Sequence, residues 1–404
     1  MVQKSDKSQN YNIIICHNDP LTSIGGTELY VKNKNEHYLS KNISSLTIYI
    51  NKLKKDQRKS NGEKYSFGIN LDKNNVYDNI SIDDLKLYLE NFINENSIKN
   101  IFYENFYNWI NYKKSLDLIF NLTKNVNANK VFYVHDTLFR CPKTLFYVKD
   151  AYCGAGDKNF SIFNCLTCKN GGLKVITNKQ IFLKFLKISD QIILPSEYIK
   201  ELFLDYFKKN DFFKKTKVIE HLKKTNLKTL SSSNKIGEKI RIAFLGNNDK
   251  TKGFNEFIKL SQNQSLQKLY EFYVIGKKYD DSNIINIEAS YNDKKHEGKT
   301  NSVISDILFR EKINLTFLFS KMPESYSYTM HESDAANVPV LTSINSGNIN
   351  YQIEKGNILG KSFRNYEDLE NFLLLNSNSI SLINSNKNTH LNRIESSNPL
   401  NFKK

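Results

Sequence analysis

The chain lacks a hydrophobic run long enough to span a membrane, since none of its apolar stretches approaches the roughly 18 to 20 residues that a bilayer-crossing helix requires. Its first residues are polar, and the apolar run at residues 13–16 is far shorter than the core of a secretory signal peptide. We therefore expect a cytoplasmic location. The 404 residues show no internal repeat, and their number is too large for one ordinary domain and suits two. The 39% hydrophobic and 25% charged fractions are typical of a soluble globular protein.

Acidic residues are scarce relative to basic ones: 42 Asp and Glu stand against 58 Lys and Arg, a formal net charge of +16. Such an excess is typical of nucleic-acid-binding proteins. Here, however, the basic side chains are scattered among many Asn, and no recognised nucleic-acid-binding module is present, so we predict no nucleic-acid partner. We interpret the charge as a compositional bias of solvated surfaces. The alternative is peripheral contact with the anionic inner face of a membrane.

Short apolar runs alternate with amphipathic segments through most of the chain, which predicts α/β layers with largely parallel sheets. The predicted strands are residues 11–16, 45–50, 99–103, 130–134 and 191–194 in the first half, and 240–245, 271–275, 314–319 and 339–342 in the second. The predicted helices cover residues 27–40, 83–94 and 198–207, and others begin near Phe254, Ser302 and Ser327. We interpret the aromatic segment 101–120, which holds the only Trp, Trp109, as a helix that packs in the core.

The composition divides this pattern into two doubly wound, Rossmann-like domains. Residues 1–195 form an N-terminal domain, 196–239 an interdomain crossing and a Ser-, Asn- and Lys-rich linker, and 240–375 a C-terminal domain. Residues 376–404 are rich in Asn, Ser and Lys and lose hydrophobic periodicity, so we expect a poorly ordered tail. Ligands of such domains bind beyond the carboxyl ends of the strands, and the loops there are where we expect the chemistry.

The segment from residue 315 to residue 348 carries most of the chemical signal. A predicted strand ends near Ser320, a loop containing Pro323 and Glu324 follows, and a helix begins at Ser327. The free backbone N–H groups at the start of such a helix suit a diphosphate. Carboxylates such as Glu324 and Glu332 are strong acceptors for sugar hydroxyls. Two Glu at this spacing are also common on solvated surfaces, so the spacing alone does not identify a site.

The context of the two Glu makes the pattern specific. Glu324-x7-Glu332, with Pro323 before it and Val338-Pro339-Val340 after it, resembles the E-x7-E signature of the family 4 glycosyltransferases. Three more segments resemble that family in the family's order. The segment Gly25-Gly26-Thr27-Glu28-Leu29 is similar to the family's glycine-rich loop. Residues 190–196 are similar to the family's last strand before the interdomain crossing. Residues 242–253 are similar to the family's first donor-domain strand with a Lys-Gly loop.

The resemblance implies a GT-B fold, in which two Rossmann-like domains face a central cleft. It also implies a hexosyltransferase that moves a sugar, with retention, from a nucleotide-sugar donor to a glycan or lipid-linked acceptor in cell-surface polysaccharide or glycoconjugate synthesis. By the same resemblance Glu324 contacts the donor sugar, Glu332 the ribose and Lys252 the diphosphate. The implied donor-binding residues are Gly25, Gly26, Gly246, Lys252, Glu324, Ser325, Tyr326, Ser327 and Glu332, and Glu324 is also assigned a catalytic role.

The chain departs from the family after Gly246. The family has an Arg there that clamps the phosphates together with the Lys, whereas this chain has Asn247-Asn248. This departure supports the alternative of a non-catalytic nucleotide-sugar-binding subunit. An epimerase or phosphorylase of the same fold is disfavoured by the Glu324-x7-Glu332 context. No Asp-x-Asp motif lies near a donor strand, so we expect no catalytic metal.

His135 directly follows the predicted strand 130–134. A His at the carboxyl end of a strand can hydrogen-bond the donor or stabilise the leaving group, although it can equally cap the strand. Relatives often have a His at the matching place, which favours a catalytic role for His135. His17, Asp19 and His331 are weaker candidates.

Four of the five cysteines cluster within residues 141–172, an insert that follows His135 on the acceptor side. Cys165-x2-Cys168 has the knuckle spacing of structural zinc sites, and two further thiolates complete a tetrahedral shell. The predicted ligands are Cys141, Cys153, Cys165 and Cys168. The alternatives are four unrelated buried thiols or an iron–sulfur cluster, since disulfides are disfavoured in the cytoplasm.

Overall fold

The computed structural model describes residues 10–23, 25–53, 64–143, 146–148, 151–154, 165, 168, 171–207, 211–225, 239–289, 303–385 and 393–396. These residues form two compact units. The first unit contains described residues from 1–144 and 161–219, and the second contains those from 145–160 and 220–397. In the described part of the chain, no helix is both long enough and apolar enough to cross a membrane.

The first unit is built on a sheet of eight strands within the described ranges. Along the chain these are β1 (Asn10–Cys16), β2 (Ser44–Lys52), β3 (Tyr65–Leu71), β4 (Asn74–Ile80), β5 (Ser97–Tyr103), β6 (Asn129–Tyr133), β9 (Gln191–Leu194) and β10 (Thr216–Val218). Their order in the sheet is β10-β9-β6-β5-β1-β2-β3-β4, and the pairs are parallel apart from those made by β3. Strands β7 (Tyr147–Val148) and β8 (Ala151–Tyr152) form a separate antiparallel pair.

The central strands form because their apolar runs are buried on both faces. Ile13, Ile14 and Ile15 in β1 are all fully buried, as expected for a parallel strand covered by helices. The covering helices are Gly26–Leu39, Ile82–Glu95, Lys113–Thr123, Leu173–Ile188 and Glu197–Tyr206. Ser81 and Asp84 start the second of these with a capping box, since each side chain bonds the other's backbone N–H.

The first unit departs from the sequence prediction in two places. Strands β3 and β4 form an antiparallel edge hairpin that was not predicted, because β4 is exposed and has few apolar residues to mark it. The aromatic segment 101–120 is not one helix: β5 ends at Tyr103, a short 3-10 turn covers Trp109–Asn111, and a helix begins only at Lys113. Asn105 accepts from the backbone N–H of Tyr107, a local bond that competes with helix formation.

Part of the predicted crossing belongs to the first unit. The helix Glu197–Tyr206 packs Ile199, Leu202 and Phe203 into that unit, and β10 pairs with β9. The amphipathic pattern of the helix explains this placement, because its apolar face needs the sheet as a partner. The chain enters the second unit at residue 220. Residues 226–238, the centre of the predicted linker, lie outside the described residues.

The second unit contains a parallel sheet of six strands among the residues described. These are β12 (Ile240–Gly246), β13 (Tyr270–Gly276), β14 (Ile284–Glu288), β15 (Leu315–Leu318), β16 (Val340–Ser343) and β17 (Gly360–Phe363), in the sheet order β14-β13-β12-β15-β16-β17. Its helices are Phe254–Gln262, Gln264–Leu269, Val303–Arg310, Tyr328–Ala335, Asn348–Glu354 and Tyr366–Ser385. Successive residues of β12 enter different core clusters: Phe244 packs with Phe257, and Leu245 with Met330. The sheet is therefore covered on both faces, as predicted for a doubly wound fold.

The tail is more regular than predicted from residue 376 onward. The helix that begins at Tyr366 continues to Ser385 through one non-helical residue, Asn376. Beyond it, β18 (Arg393–Ser396) pairs antiparallel with β11 (Leu222–Thr225). Strand pairing uses main-chain N–H and C=O groups, so it does not require the hydrophobic periodicity that the tail lacks.

Candidate active site

The loop between β15 and the helix Tyr328–Ala335 carries Glu324, and its backbone is held by the loop that follows β16. The N–H of Glu324 donates to the carbonyl of Ser346 over 3.0 Å, and its carbonyl accepts from the N–H of Asn348 over 2.9 Å. Gly347 lies between these partners with φ +66°, where a Cβ would stand 2.8 Å from both Glu324 N and Glu324 O. Only glycine fits there, so the position of Glu324 depends on Gly347.

Lys252 reaches the same loop from the neighbouring strand. It ends the 3-10 turn Lys250–Lys252 after β12, which Asp249 caps by accepting from the N–H of Thr251 over 2.7 Å. Lys252 Nζ donates to Glu324 Oε1. The Lys252 side chain is 43% exposed and that of Glu324 is 13% exposed, so the pair is open to solvent. The structure thus brings together two residues that the sequence assigned to the donor.

Two further residues of the loop, Tyr326 and Ser327, make bonds that hold it in place. The hydroxyl of Tyr326 accepts from the N–H of Leu222 over 2.9 Å, and its carbonyl accepts from Asn348 Nδ2 over 2.8 Å. Burial raises the pKa of Tyr326 well above its usual value. Ser327 caps the following helix by accepting from the N–H of Met330, and it does so at φ +68°, an uncommon and strained conformation for a residue other than glycine.

The helix Tyr328–Ala335 begins beside the end of β12. A Cβ at Gly246 would lie 3.9 Å from Thr329 Cγ2, in the first turn of the helix. Glu332 is fully buried in this helix, and the ring of its neighbour His331 stacks on Tyr326 with centroids 4.3 Å apart. The first turn of a helix presents free N–H groups. One strand-end region of the second unit therefore contains seven of the predicted donor-binding residues: Gly246, Lys252, Glu324, Ser325, Tyr326, Ser327 and Glu332.

A second group of polar side chains lies at the strand ends of the first unit. Glu104 directly follows β5, and His135 follows the adjacent strand β6. His135 Nε2 lies 2.8 Å from Glu104 Oε2, and Lys34 Nζ donates to Glu104 Oε1. The exposed fractions of the Lys34, Glu104 and His135 side chains are 0%, 0% and 1%. Sequence reasoning identified His135 but missed Glu104 and Lys34. Only the rule that chemistry follows the carboxyl ends of strands pointed toward Glu104.

Aromatic rings enclose the ammonium group of Lys34. Its Nζ lies 3.5 Å from the ring centroid of Tyr133, 4.4 Å from that of Phe102 and 4.8 Å from that of Tyr30. Burial lowers the pKa of Lys34 to about 8, although the charge of Glu104 acts in the opposite direction. Burial also acts to raise the pKa of Glu104. The charge of Lys34 and the bond with His135 outweigh it, so that this pKa lies below its usual value.

Gly25 caps the first helix of this unit, which begins at Gly26, and Gly25 lies close to Glu28 of the same helix. A Cβ at Gly25 would collide with the Glu28 carboxylate, which accepts from Asn18 Nδ2 over 2.8 Å and pairs with His17 Nε2 at 3.0 Å. Burial acts to raise the pKa of Glu28, but the bond and charge of His17 hold it at about 2. Asp19 accepts from Leu21 N–H and from Asn70, so it braces the loop after β1.

The predicted zinc ligands lie in a segment that the structure describes only in part. The turn from Cys165 is closed by two bonds to its carbonyl, from the N–H of Cys168 over 3.2 Å and from that of Gly172 over 2.8 Å. Among the described residues, no three or more His, Cys, Asp or Glu side chains converge to hold a metal ion. The four cysteines themselves are described and each is partly exposed, whereas residues 155–164 between them lie outside the described ranges; the zinc site stays a prediction.

No protein-family model and no curated protein matches the chain. Solved structures match it along nearly its whole length. Sucrose-phosphate synthase from Thermosynechococcus elongatus has a TM-score of 0.54 at 15% identity, with 94% of this chain and 92% of that chain covered. Anabaena HepE in complex with UDP and glucose has a TM-score of 0.50 at 11% identity, with 93% and 92% covered. The chain has the two-unit α/β fold of the GT-B glycosyltransferases, as its sequence motifs implied.

Proposed function

We propose that the protein is a glycosyltransferase that moves a sugar from a nucleoside diphosphate sugar to a glycan or lipid-linked acceptor. The observation that carries the proposal is the solvent-open pair of Lys252 and Glu324 at the ends of two adjacent parallel strands, β12 and β15. The fold supports it, since HepE of similar fold was solved with UDP and glucose. A role in polysaccharide or glycoconjugate synthesis belongs to the same proposal and rests on the resemblance of the sequence motifs.

Each member of this pair has bonding capacity left for a ligand. An ammonium has three donors and a carboxylate has two oxygens, so the ion pair orients both groups without exhausting either. Lys252 neutralises the donor diphosphate together with the N–H groups at the start of the helix Tyr328–Ala335. Glu324 accepts from hydroxyls of the donor sugar through charge-assisted bonds. We expect no catalytic metal, because these groups already supply the positive charge that the diphosphate needs.

In the reaction, the acceptor hydroxyl oxygen forms a bond to the anomeric carbon of the donor as the bond from that carbon to the diphosphate oxygen breaks. The diphosphate leaves with the bonding electron pair and takes the hydroxyl proton on the same face, which gives retention. The protein contributes positioning and electrostatic stabilisation: Lys252 balances the charge that develops on the leaving group.

Release of nucleoside diphosphate from a panel of nucleotide sugars, with UDP-glucose first, tests the proposal. Glu324→Ala removes the acceptor for the sugar, so we expect turnover to fall at least about tenfold, or about 1.4 kcal/mol of transition-state stabilisation. The matched control is Glu271→Ala, because Glu271 pairs with Arg241 over 3.0 Å near the amino ends of β13 and β12. Binding of nucleotide sugar without release, with any acceptor, would instead indicate a non-catalytic subunit.

The metal predictions have separate tests. Omission or addition of magnesium or manganese should leave the release rate unchanged if Lys252 and backbone N–H groups hold the diphosphate.

Elemental analysis should find about one zinc per chain if Cys141, Cys153, Cys165 and Cys168 form a structural site. Each Cys→Ser change should then lower both the zinc content and the melting temperature. A zinc-free protein with normal melting would contradict that assignment.

A further inference from the structure

We propose that Lys34 and Glu104 are positioning residues that hold His135 in a single tautomer, with the proton on Nε2 and the lone pair on Nδ1. The inference deepens the proposed function and rests on it in one respect, namely that the His135 imidazole takes part in sugar transfer. In the first unit, Glu104 and His135 are buried at the ends of adjacent strands, where α/β sheets bind their ligands, and the buried Lys34 reaches Glu104 from the helix Gly26–Leu39.

The tautomer follows from the bonds of the Glu104 carboxylate. One oxygen accepts from Lys34 Nζ, and the other lies 2.8 Å from His135 Nε2. An ionised carboxylate accepts hydrogen bonds and cannot donate one, so the proton of this bond belongs to Nε2. A neutral imidazole has one donor and one acceptor nitrogen. Nδ1 is therefore the acceptor of the His135 ring.

Lys34 keeps Glu104 ionised where no solvent reaches it. A buried carboxylate without a counter-charge takes up a proton, and a protonated Glu104 would be able to donate to His135 and so permit the other tautomer. The rings of Tyr133, Phe102 and Tyr30 replace water around the Lys34 ammonium. The Tyr133 ring also stacks on His135, with centroids 5.7 Å apart and an interplanar angle of 12°. The same ring therefore orients both members of the cluster.

Stability alone does not account for this arrangement. The free energy lost when two buried charges are desolvated is about as large as the free energy gained from their attraction. Apolar residues of similar volume often stabilise a protein equally well or better. The three side chains come from separate elements, the helix Gly26–Leu39 and the ends of β5 and β6, and Glu104 is further fixed by its N–H bond to Ile15 O over 2.9 Å. A charged acceptor held this firmly against His135 Nε2 is what orientation of a catalytic-site imidazole requires.

The experiment is ¹⁵N NMR of the full chain labelled at histidine, with the His135 signals assigned by their loss in His135→Asn. We expect a protonated Nε2 and an unprotonated Nδ1 in the wild type. Glu104→Gln preserves the shape and still accepts from Lys34, but its amide donates to His135 and should reverse the two nitrogens. Glu28→Gln is the matched control: Glu28 pairs with His17 in the same way, so that variant should change His17 and leave His135 unaltered.

Kinetics then connect the tautomer to the reaction. In Glu104→Gln, kcat for sugar transfer should fall about tenfold or more while KM changes less than about twofold, because the imidazole is present but presents the wrong nitrogen. A proton on Nδ1 in the wild-type protein would overturn the inference. An unchanged tautomer in Glu104→Gln, or a reversed tautomer in that variant with unchanged kcat, would also overturn it. A wild-type protein with the expected tautomer and no transfer activity would contradict the proposed function and leave the tautomer assignment confirmed.

Discussion

The two units each place a Lys against a Glu where parallel strands end, and the two pairs differ in their access to water. Lys34 and Glu104 are both completely buried, whereas Lys252 is 43% exposed and Glu324 is 13% exposed. The attraction between unit charges is weak in water and strong in a protein interior, where the loss of hydration is also costly. The same two residue types therefore hold an internal geometry in the first unit and remain available to a ligand in the second.

The difference also appears in how freely each pair can change partners. Lys34 is enclosed by aromatic rings and its side chain is completely buried, so the only partner its ammonium meets among the described residues, besides the rings, is Glu104. Lys252 ends a short turn and its side chain is 43% exposed, so under the proposed function it can exchange Glu324 for a phosphate by rotation of its own side chain. Exposure therefore distinguishes the two pairs more than residue type or spacing does.

The largest expected effect is the loss of one partner from the buried pair. Lys34→Met leaves the Glu104 charge buried without a counter-ion, so we expect the free energy of unfolding to fall by about 3 to 5 kcal/mol. Lys252→Met, at the exposed pair, should change it by less than about 1 kcal/mol. Denaturant titration of the two variants measures both. Equal losses of unfolding free energy in the two variants would contradict the distinction between the buried and the exposed pair.

A double variant sharpens this result. Lys34→Met with Glu104→Gln removes both charges, so the unfolding free energy should recover at least half of the loss seen in Lys34→Met alone. Recovery is expected because the uncompensated charge, more than the missing contact, causes the instability. No recovery would assign the loss to packing of the Lys34 stem instead.

The next effect concerns acid stability and tests a second buried carboxylate of the first unit. Glu28 has a pKa of about 2 in the folded protein, against 4.5 for an unperturbed Glu. The unfolded chain therefore binds the proton more tightly, and the stabilisation, on the order of 3 kcal/mol, is complete above about pH 4.5 and is lost as the pH falls toward 2. Unfolding free energies of wild type and Glu28→Gln between pH 6 and 3 should converge on acidification. A constant difference would contradict the shifted pKa.

A smaller effect is expected for ligand binding at the exposed pair. Lys252→Met should weaken the binding of UDP about tenfold, or about 1.4 kcal/mol, because one cation no longer faces the diphosphate. Lys239→Met is the matched control, since Lys239 donates to Gln267 O near the amino end of β12, away from the strand ends that bind ligand. Calorimetric titration with UDP compares the two. If both variants bind UDP equally well, Lys252 is not a diphosphate ligand.

The strands were predictable where an apolar run is buried on both faces. Residues 191–194 match β9, and the predicted 11–16 and 240–245 lie within β1 and β12. Strand β4 was missed because its side chains are exposed, and β18 because main-chain pairing leaves no apolar pattern. Sequence periodicity reports burial, so elements held by other means escape it.

The pairing of Lys252 with Glu324, the proposed donor residues, could be anticipated only through a motif. Glu324 and Lys252 are 72 positions apart, and their proximity came from a family resemblance, not from spacing. Lys34 and Glu104, 70 positions apart, belong to no recognised motif and were missed. A helical Lys and a Glu after a strand are each ordinary in a sequence, because their partnership exists only once the helix Gly26–Leu39 packs on the sheet.

The backbone clamp on Glu324 has a consequence for redesign. Residue 324 is fixed by its own N–H and C=O through Ser346 and Asn348, and Gly347 supplies the close approach. These two backbone bonds do not depend on the side chain at 324. Under the proposed function, Asp, Gln or His at position 324 would therefore test sugar selectivity with the loop backbone held, whereas a substitution at Gly347 would displace the backbone itself.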